Sequence, residues 1–549
     1  MKKISACSFI CCSFLARADQ LNTLEDFLQK KKEAEINTIL NNELKKEVMV
    51  SADENILQYS ENRKFFIERI VLLGQNIPNL KKVDNLLKKY SNQDLGLNEI
   101  QDLVKKLTNI YIENGYVGAR VLIPTTQNIK AKELKLQVIL GNVEEIKFNN
   151  SSKNDKFKAW WTFPLEQNDI LKLPDIEYGV NVINRVPQNN AVMNIYPGEF
   201  FGGSIIEVNN EKKSYLHGIN IGFDNSGSKE NGRYKTNINY SFGDVFNLNE
   251  LFSIYGSANI LDNYERKRDF NYGLDLSLPF KKLDMGLSYN AASNLSTIQG
   301  NIKELKFRGE SKILSYRLGK VLLNHPKGKL KFDTILNLKS KKNYINDEKI
   351  EVSSRNSSSW KNTLSLNGRA FNSVYYTSIS YQKGLKRFGV SEDLGRDSDS
   401  PVSDYDKYST YLKLIKPFSV NNNYFSYEFS AAAQYTGDNL YSDEKYSIGN
   451  ESTVRGYENS VSGNRGYFLR NQIYYTLPVE SRNLRVYTGI DTGETGDKKT
   501  LNTHLLGGAV GIDYTTKYAS FDLSLGVPLK KIENNKDEYL IYFSVNLFY

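Results

Sequence analysis

Beyond residue 12 the sequence contains no cysteine, since Cys7, Cys11 and Cys12 are the only three. That leaves no thiol nucleophile and no disulfide framework in the body of the chain. Histidine is almost as scarce. His217, His325 and His504 stand alone, each in or beside a strand-like segment. Structural or solvent-facing roles suit such residues better than metal ligation or base chemistry. No apolar run of 18 residues follows the N-terminus, which excludes a transmembrane helix. It does not exclude a β-barrel, whose strands of about ten residues are apolar on the outer face alone. The stretch "GETGDKKT" (493–500) lacks the spacing and the following helix of a phosphate-binding loop, so no nucleotide is expected. The net charge of +9 arises from 72 basic and 63 acidic residues spread along the chain. Without a compact basic cluster, nucleic acid is not an expected partner. Catalytic residues, a metal and a cofactor are likewise not expected, and an enzyme is not the reading these absences favour.

What is present begins with "MKKISACSFICCSFLARA". Two lysines, a short apolar core and Ala16-Arg17-Ala18 form the layout of a secretory signal peptide, residues 1–18. A lipoprotein built on Cys11 or Cys12 is the weaker alternative, because Ile10 precedes the first of them. Residues 19–63 carry Leu21, Leu24, Phe27 and Leu28 at helical spacing, followed by a polar stretch that reads as a linker from residue 40. This segment is either a short helix or a frayed tail. Residues 64–141 then read strand, helix, helix, strand, strand. The long helix ends at Gly115, a glycine stop. Residues 142–211 repeat the order, with a proline-containing helix start in "ILKLPDIEYGVNVINRVP" (170–187).

From residue 212 to 549 the helical period vanishes. Sixteen alternating segments follow one another, from "YLHGINIGFD" to "YLIYFSVNLFY", rich in tyrosine and phenylalanine and punctuated by turns. Connections alternate short and long, as outer-membrane barrels require. A soluble sandwich or propeller would need a second sheet over the apolar faces. Sixteen consecutive strands behind a signal peptide favour the barrel. In the last strand, alternation puts Tyr542, Ser544, Asn546 and Phe548 on one face and Ile541, Phe543, Val545 and Leu547 on the other.

Several local patterns resemble one family. "YIENGYVGARVLIPTTQ" (111–127) looks like the end of a first POTRA domain. Phe163-Pro164, Asp175-Ile176-Glu177, Asn184-Arg185-Val186-Pro187 and Tyr196-Pro197-Gly198 look like a second. "DNSGSKENGRY" (224–234) resembles a first barrel hairpin, and "STVRGYENSVSGNRGYFLRNQIYYTLP" (452–478) the family's most specific signature. Together they resemble the two-partner secretion transporters, the TpsB family, over nearly all the chain from residue 60. The resemblance implies two periplasmic α/β POTRA domains (64–141 and 142–211) followed by a 16-stranded antiparallel transmembrane β-barrel (212–549). It places the protein in the outer membrane, in contact with its lipid, with the POTRA domains in the periplasm. It implies export of a large partner exoprotein of haemolysin or adhesin type, recognised unfolded by the POTRA domains. The partner's folding at the cell surface would give direction in place of a nucleotide. The N-terminal helix would match the family's pore plug. An outer-membrane assembly factor is the alternative; such relatives share the arginine-glycine loop but usually carry three or more POTRA domains.

The strand count makes 438–462 the sixth outer loop, and in the family this loop folds back into the barrel. The resemblance pairs Arg455, beside Val454, Gly456 and Tyr457, with Asp491 on the inner wall. Alternation independently puts Tyr487, Gly489, Asp491 and Gly493 on one face. Two glycines flanking an aspartate leave a flat wall that another backbone can approach, and a guanidinium can bind the carboxylate bidentately. From alternation alone, Arg455 as a solvated loop residue and Asp491 as a wet pore residue are the favoured reading, and it is the resemblance that pairs them. Gly489 stands where the family usually has an aromatic residue, and the terminal Tyr549 where phenylalanine is commoner.

Overall fold

The computed structural model describes residues 23–45, 64–75, 81–127, 131–149, 153–212, 217–299, 304–393, 395, 400–478, 484–497, 502–532 and 538–549. The predicted signal peptide and its cysteines lie outside the described residues.

Along the fourth barrel strand the usual burial pattern of a soluble protein is inverted. In Lys267–Phe280 the residues Asp269 and Asn271 are buried, while Phe270, Tyr272 and Leu274 are exposed on the opposite face. Apolar-out, polar-in alternation is what lipid outside and a wet lumen inside select. Sixteen antiparallel strands close into one barrel. The first, His217–Asp224, pairs with the sixteenth, Leu540–Phe548, from Asn220↔Phe548 to Asp224↔Ser544. Closure removes the free edges that an open sheet would expose. Two of the turns on the periplasmic side are two-residue connections, Phe371-Asn372 and Asn421-Asn422. All four of their residues have positive φ, between 49° and 64°, the conformation that tight hairpins demand.

The first α/β unit differs from its sequence reading in two ways. "FFIERIVLLG" (65–74) reads as one strand but breaks at Glu68 into Lys64–Ile67 and Arg69–Gly74, which join different sheets. Lys64–Ile67 pairs with Gln93–Gly96, a four-residue polar strand with no alternation to announce it. Arg69–Gly74 lies parallel to Glu133–Ile139, which also pairs with Arg120–Leu122. Helices Lys81–Tyr90 and Leu97–Glu113 cover this core, with Leu103, Leu107 and Tyr111 fully buried against Leu134 and Leu136. The second unit packs helices Lys153–Thr162 and Leu173–Asn184 on the sheet of Asn142–Phe148, Gly203–Asn210 and Ala191–Pro197. Phe163, Ile176, Ile183 and Ile206 fill its centre. The helix expected over 170–187 is shorter than predicted at both ends.

The second unit is fixed to the barrel's periplasmic rim. Lys158 Nζ lies 2.6 Å from Asp244 in the turn after the second barrel strand, with both groups buried. Lys282 pairs with Asp175 at 2.9 Å, and Asn249 donates to the Thr162 hydroxyl at 2.7 Å.

Residues 23–45 form a continuous helix inside the barrel. Residues 40–45, expected to belong to the linker, are therefore helical. Leu40 extends the helix because it is buried with Ile36 against Val374 and Ile415 on the ninth and tenth strands. Leu24 packs on Ala292 and Ile313, and Phe27 stacks on Tyr255 with ring centroids 5.6 Å apart.

Candidate functional site

The segment between the eleventh strand, Asn423–Thr436, and the twelfth, Arg465–Thr476, does not project from the barrel. It turns inward and is held at two places. The first is Glu444, which forms ion pairs with Lys407 on the tenth strand and with Lys339 on the seventh, the latter at 2.6 Å. Gln382 on the ninth strand donates to the same carboxylate at 3.0 Å. Nothing local marked Glu444 in the sequence, because its partners lie on strands 37 and more residues away.

The second anchor is the loop tip. The Arg455 guanidinium reaches Asp491 on the thirteenth strand with Nε–Oδ2 at 2.6 Å and Nη2–Oδ1 at 2.8 Å. The backbone N–H of Arg455 also donates to Oδ2, at 3.3 Å. The pair is bidentate and dry, with side-chain exposures of 1 % and 0 %. Such a pair is short and directional, and its attraction is unscreened by water.

The wall under the tip is built of glycines on adjacent strands. Gly489 faces Arg455: a Cβ there would stand 2.6 Å from Nη2. Gly493 faces Val454, whose Cγ2 would be 3.1 Å from an added Cβ. Gly507 and Gly526, on the next two strands, lie against the backbone of Arg455 and Gly456. Gly456 itself has φ of +92°, a conformation that favours glycine, and its N–H donates to the Tyr542 hydroxyl at 3.0 Å. Tyr457 donates its hydroxyl to the Lys530 carbonyl at 2.6 Å and accepts from the Leu506 N–H at 3.1 Å. Val454 and Tyr457 share a buried cluster with Ile448, Phe468 and Leu505. Thus Val454, Arg455, Gly456, Tyr457, Gly489, Asp491 and Gly493 all meet in one place. Sequence reasoning missed Gly507 and Gly526; the face assigned to Tyr542 was the one available signal for the sixteenth strand's part.

Substituting valine for Gly507 forces a side chain into the Arg455 carbonyl. The expected result is a loop that no longer docks: a protease cuts the segment 449–464 in the intact, inserted variant and spares it in the parent.

The lumen helix adds a third element. Lys31 pairs with Asp275 on the fourth strand and lies 3.9 Å over the Tyr255 ring. Lys413 donates to Asn37 at 2.7 Å, Asn367 to Glu43 at 3.2 Å, and Arg369 to the Glu43 carbonyl. Lys30 lies 3.6 Å from Glu451, whose carbonyl accepts from Arg470 at 2.6 Å. Helix and loop therefore touch inside the barrel.

Comparison with known proteins places these features in context. Residues 202–514 match the model of the haemolysin secretion/activation protein ShlB/FhaC/HecB. Residues 65–141 match the ShlB-type POTRA domain and 142–197 a further POTRA domain. The chain is 26 % identical over 448 residues to the outer membrane transporter CdiB of Dickeya dadantii (strain 3937), covering 80 % of this chain and 78 % of that one. It is 27 % identical over 468 residues to the haemolysin transporter protein HpmB of Proteus mirabilis, covering 82 % and 79 %. The solved structure of CdiB from Escherichia coli shares the fold with a TM-score of 0.82 at 24 % identity, over 95 % of this chain and 97 % of that one.

Proposed function

This chain belongs to the haemolysin secretion/activation family ShlB/FhaC/HecB, and we propose that its partner enters as an extended strand on the open edge of the second POTRA domain. The protein is an outer-membrane transporter of two-partner secretion. It spans the outer membrane, and both POTRA domains lie in the periplasm. The relatives named above give the assembly-factor alternative no support.

The carrying observation is the strand Ala191–Pro197. Among the described residues it pairs only with Gly203–Asn210. Ala191 at its start is capped by the Asn184 side chain; beyond it the other edge has no strand partner among the described residues, and Val192, Ile195 and Tyr196 are exposed. An extended chain of a large exoprotein, haemolysin or adhesin in type, gains backbone hydrogen bonds there whatever its sequence. Exposed apolar side chains supply the selectivity. From this edge the partner passes into the lumen once the helix Thr23–Lys45 has moved aside. The chain requires no nucleotide for this step in the proposed scheme.

A photocrosslinker on a single cysteine tests the edge directly, because the mature chain after Ala18 would carry no other thiol. Probes at Val192 and Tyr196 are expected to capture a secretion-arrested partner. A probe at the exposed Lys88, on a helix of the first domain, is not. Equal capture at all three positions would remove the edge from the pathway.

A further inference from the structure

We propose that the helix Lys153–Thr162 of the second POTRA domain is a membrane-interface anchor, seated in the headgroup and upper acyl region of the periplasmic leaflet. The inference rests on the outer-membrane placement given above. Phe280 ends the fourth barrel strand on the same face as the exposed Phe270, Tyr272 and Leu274, the face that meets lipid. Trp161 packs on Phe280 with ring centroids 4.7 Å apart, and Trp160 does so at 5.6 Å. The helix is therefore docked on the outside of the barrel wall at its periplasmic end, not beneath the lumen. The Lys281 N–H donates to the Trp161 carbonyl at 2.8 Å, fixing the helix end to the turn between strands.

On this docked helix Phe157 and Trp160 remain 48 % exposed each. The turn that Lys158 grips carries Val245 and Phe246, exposed at 62 % and 67 %. Four large apolar side chains facing water would be an unfavourable surface on a protein standing in the periplasm. Beside a barrel they continue the lipid-facing band across the rim. Tryptophan is the side chain suited to that level, with an apolar body and a polar N–H at the headgroups. The exposed Lys156 places positive charge where phosphates lie, and Lys281, paired with Glu166, holds its Nζ 5.5 Å from the Trp160 ring. Seated at this level, the helix would fix the second POTRA domain, and its open strand edge, at a constant height below the lumen mouth.

The chain has three tryptophans, Trp160, Trp161 and Trp360, so single-tryptophan proteins are made with conservative changes. W161F/W360F retains Trp160, and W160F/W161F retains Trp360, which is exposed on the barrel wall. Both full-length proteins are reconstituted in phosphatidylethanolamine/phosphatidylglycerol vesicles containing lipid brominated near the top of its acyl chains. Trp160 is expected to emit at shorter wavelength than an exposed tryptophan and to lose most of its intensity to the bromolipid. Quenching of Trp360 in the same vesicles reports an inserted barrel, so that failure of the membrane placement is seen separately. Water-like, unquenched Trp160 beside a quenched Trp360 overturns the anchor. Blue-shifted but unquenched Trp160 also overturns it, since protein and not lipid would then cover the face.

Discussion

Replacing Arg455 with alanine is expected to abolish secretion of the partner while the barrel stays folded in the outer membrane. The variant leaves the Asp491 carboxylate, which is fully buried, without its bidentate partner, with Arg470 across on the twelfth strand as the remaining nearby cation. Removing one member of a buried pair typically costs about 3–5 kcal/mol, much of it the penalty of the stranded charge. The protein avoids that cost by lifting the loop tip and letting water reach Asp491. A difference of that size lowers the docked fraction by more than about 100-fold. Barrel integrity is insulated from the change, because strand pairing around the wall does not pass through the loop. Arg455→Lys keeps the charge but loses the fork that meets both carboxylate oxygens, so an intermediate defect is expected. The double variant R455A/D491A removes both charges, so loop docking should recover relative to either single change while the bidentate alignment stays lost. Secretion titres set against heat-modifiable mobility of the extracted barrel check all three. Undiminished secretion by Arg455→Ala would show that the docked tip has no part in transport.

The loop tip was legible in the sequence for a particular reason. Period-two alternation assigns Asp491 to the face shared by Gly489 and Gly493, but it is the family resemblance of the run 452–478 that pairs Arg455 with it. The barrel was legible by alternation, since the fourth strand spells out its two faces residue by residue. What stayed hidden depends on which distant strands closure brings together. Glu444 is an acidic residue in an acidic loop until the seventh and tenth strands present Lys339 and Lys407 to it. Gly507 and Gly526 read as ordinary strand glycines until the loop backbone lies on them. The strand Gln93–Gly96 exists through pairing with Lys64–Ile67 and has no propensity of its own to reveal it.

The lumen helix shows the same limit from the other side, and it carries the second large expected effect. Deleting residues 19–45 should raise ion conductance through the reconstituted barrel several-fold, because sixteen strands enclose an aqueous channel once nothing fills it. Twenty-three helical residues extend about 34 Å at 1.5 Å per residue, comparable to the hydrocarbon thickness, so the helix obstructs the pore along its length. Its hold is nonetheless weak for its size. Leu24, Ile36 and Leu40 are the apolar side chains it buries fully. Most of its other partners are polar groups of the barrel wall, such as Asp275, Asn367 and Lys413, and these exchange for water at little net cost. A wet wall also explains why the segment looks like a frayed tail in sequence, since it needs no continuous apolar stripe. Reversing one contact should therefore shift the balance measurably. Lys31→Glu sets a carboxylate against Asp275 across a pair that is about one quarter to one third exposed. Screening limits the effect to about 1 kcal/mol, roughly a fivefold gain in open time over closed. Single-channel recording in planar bilayers reads both variants. A deletion that conducts like the parent would mean that the helix leaves the lumen in the membrane-embedded resting state. A deletion that opens beside a silent Lys31→Glu would place the hold in the apolar ends of the helix, at Leu24 and Leu40, and not in its charged middle.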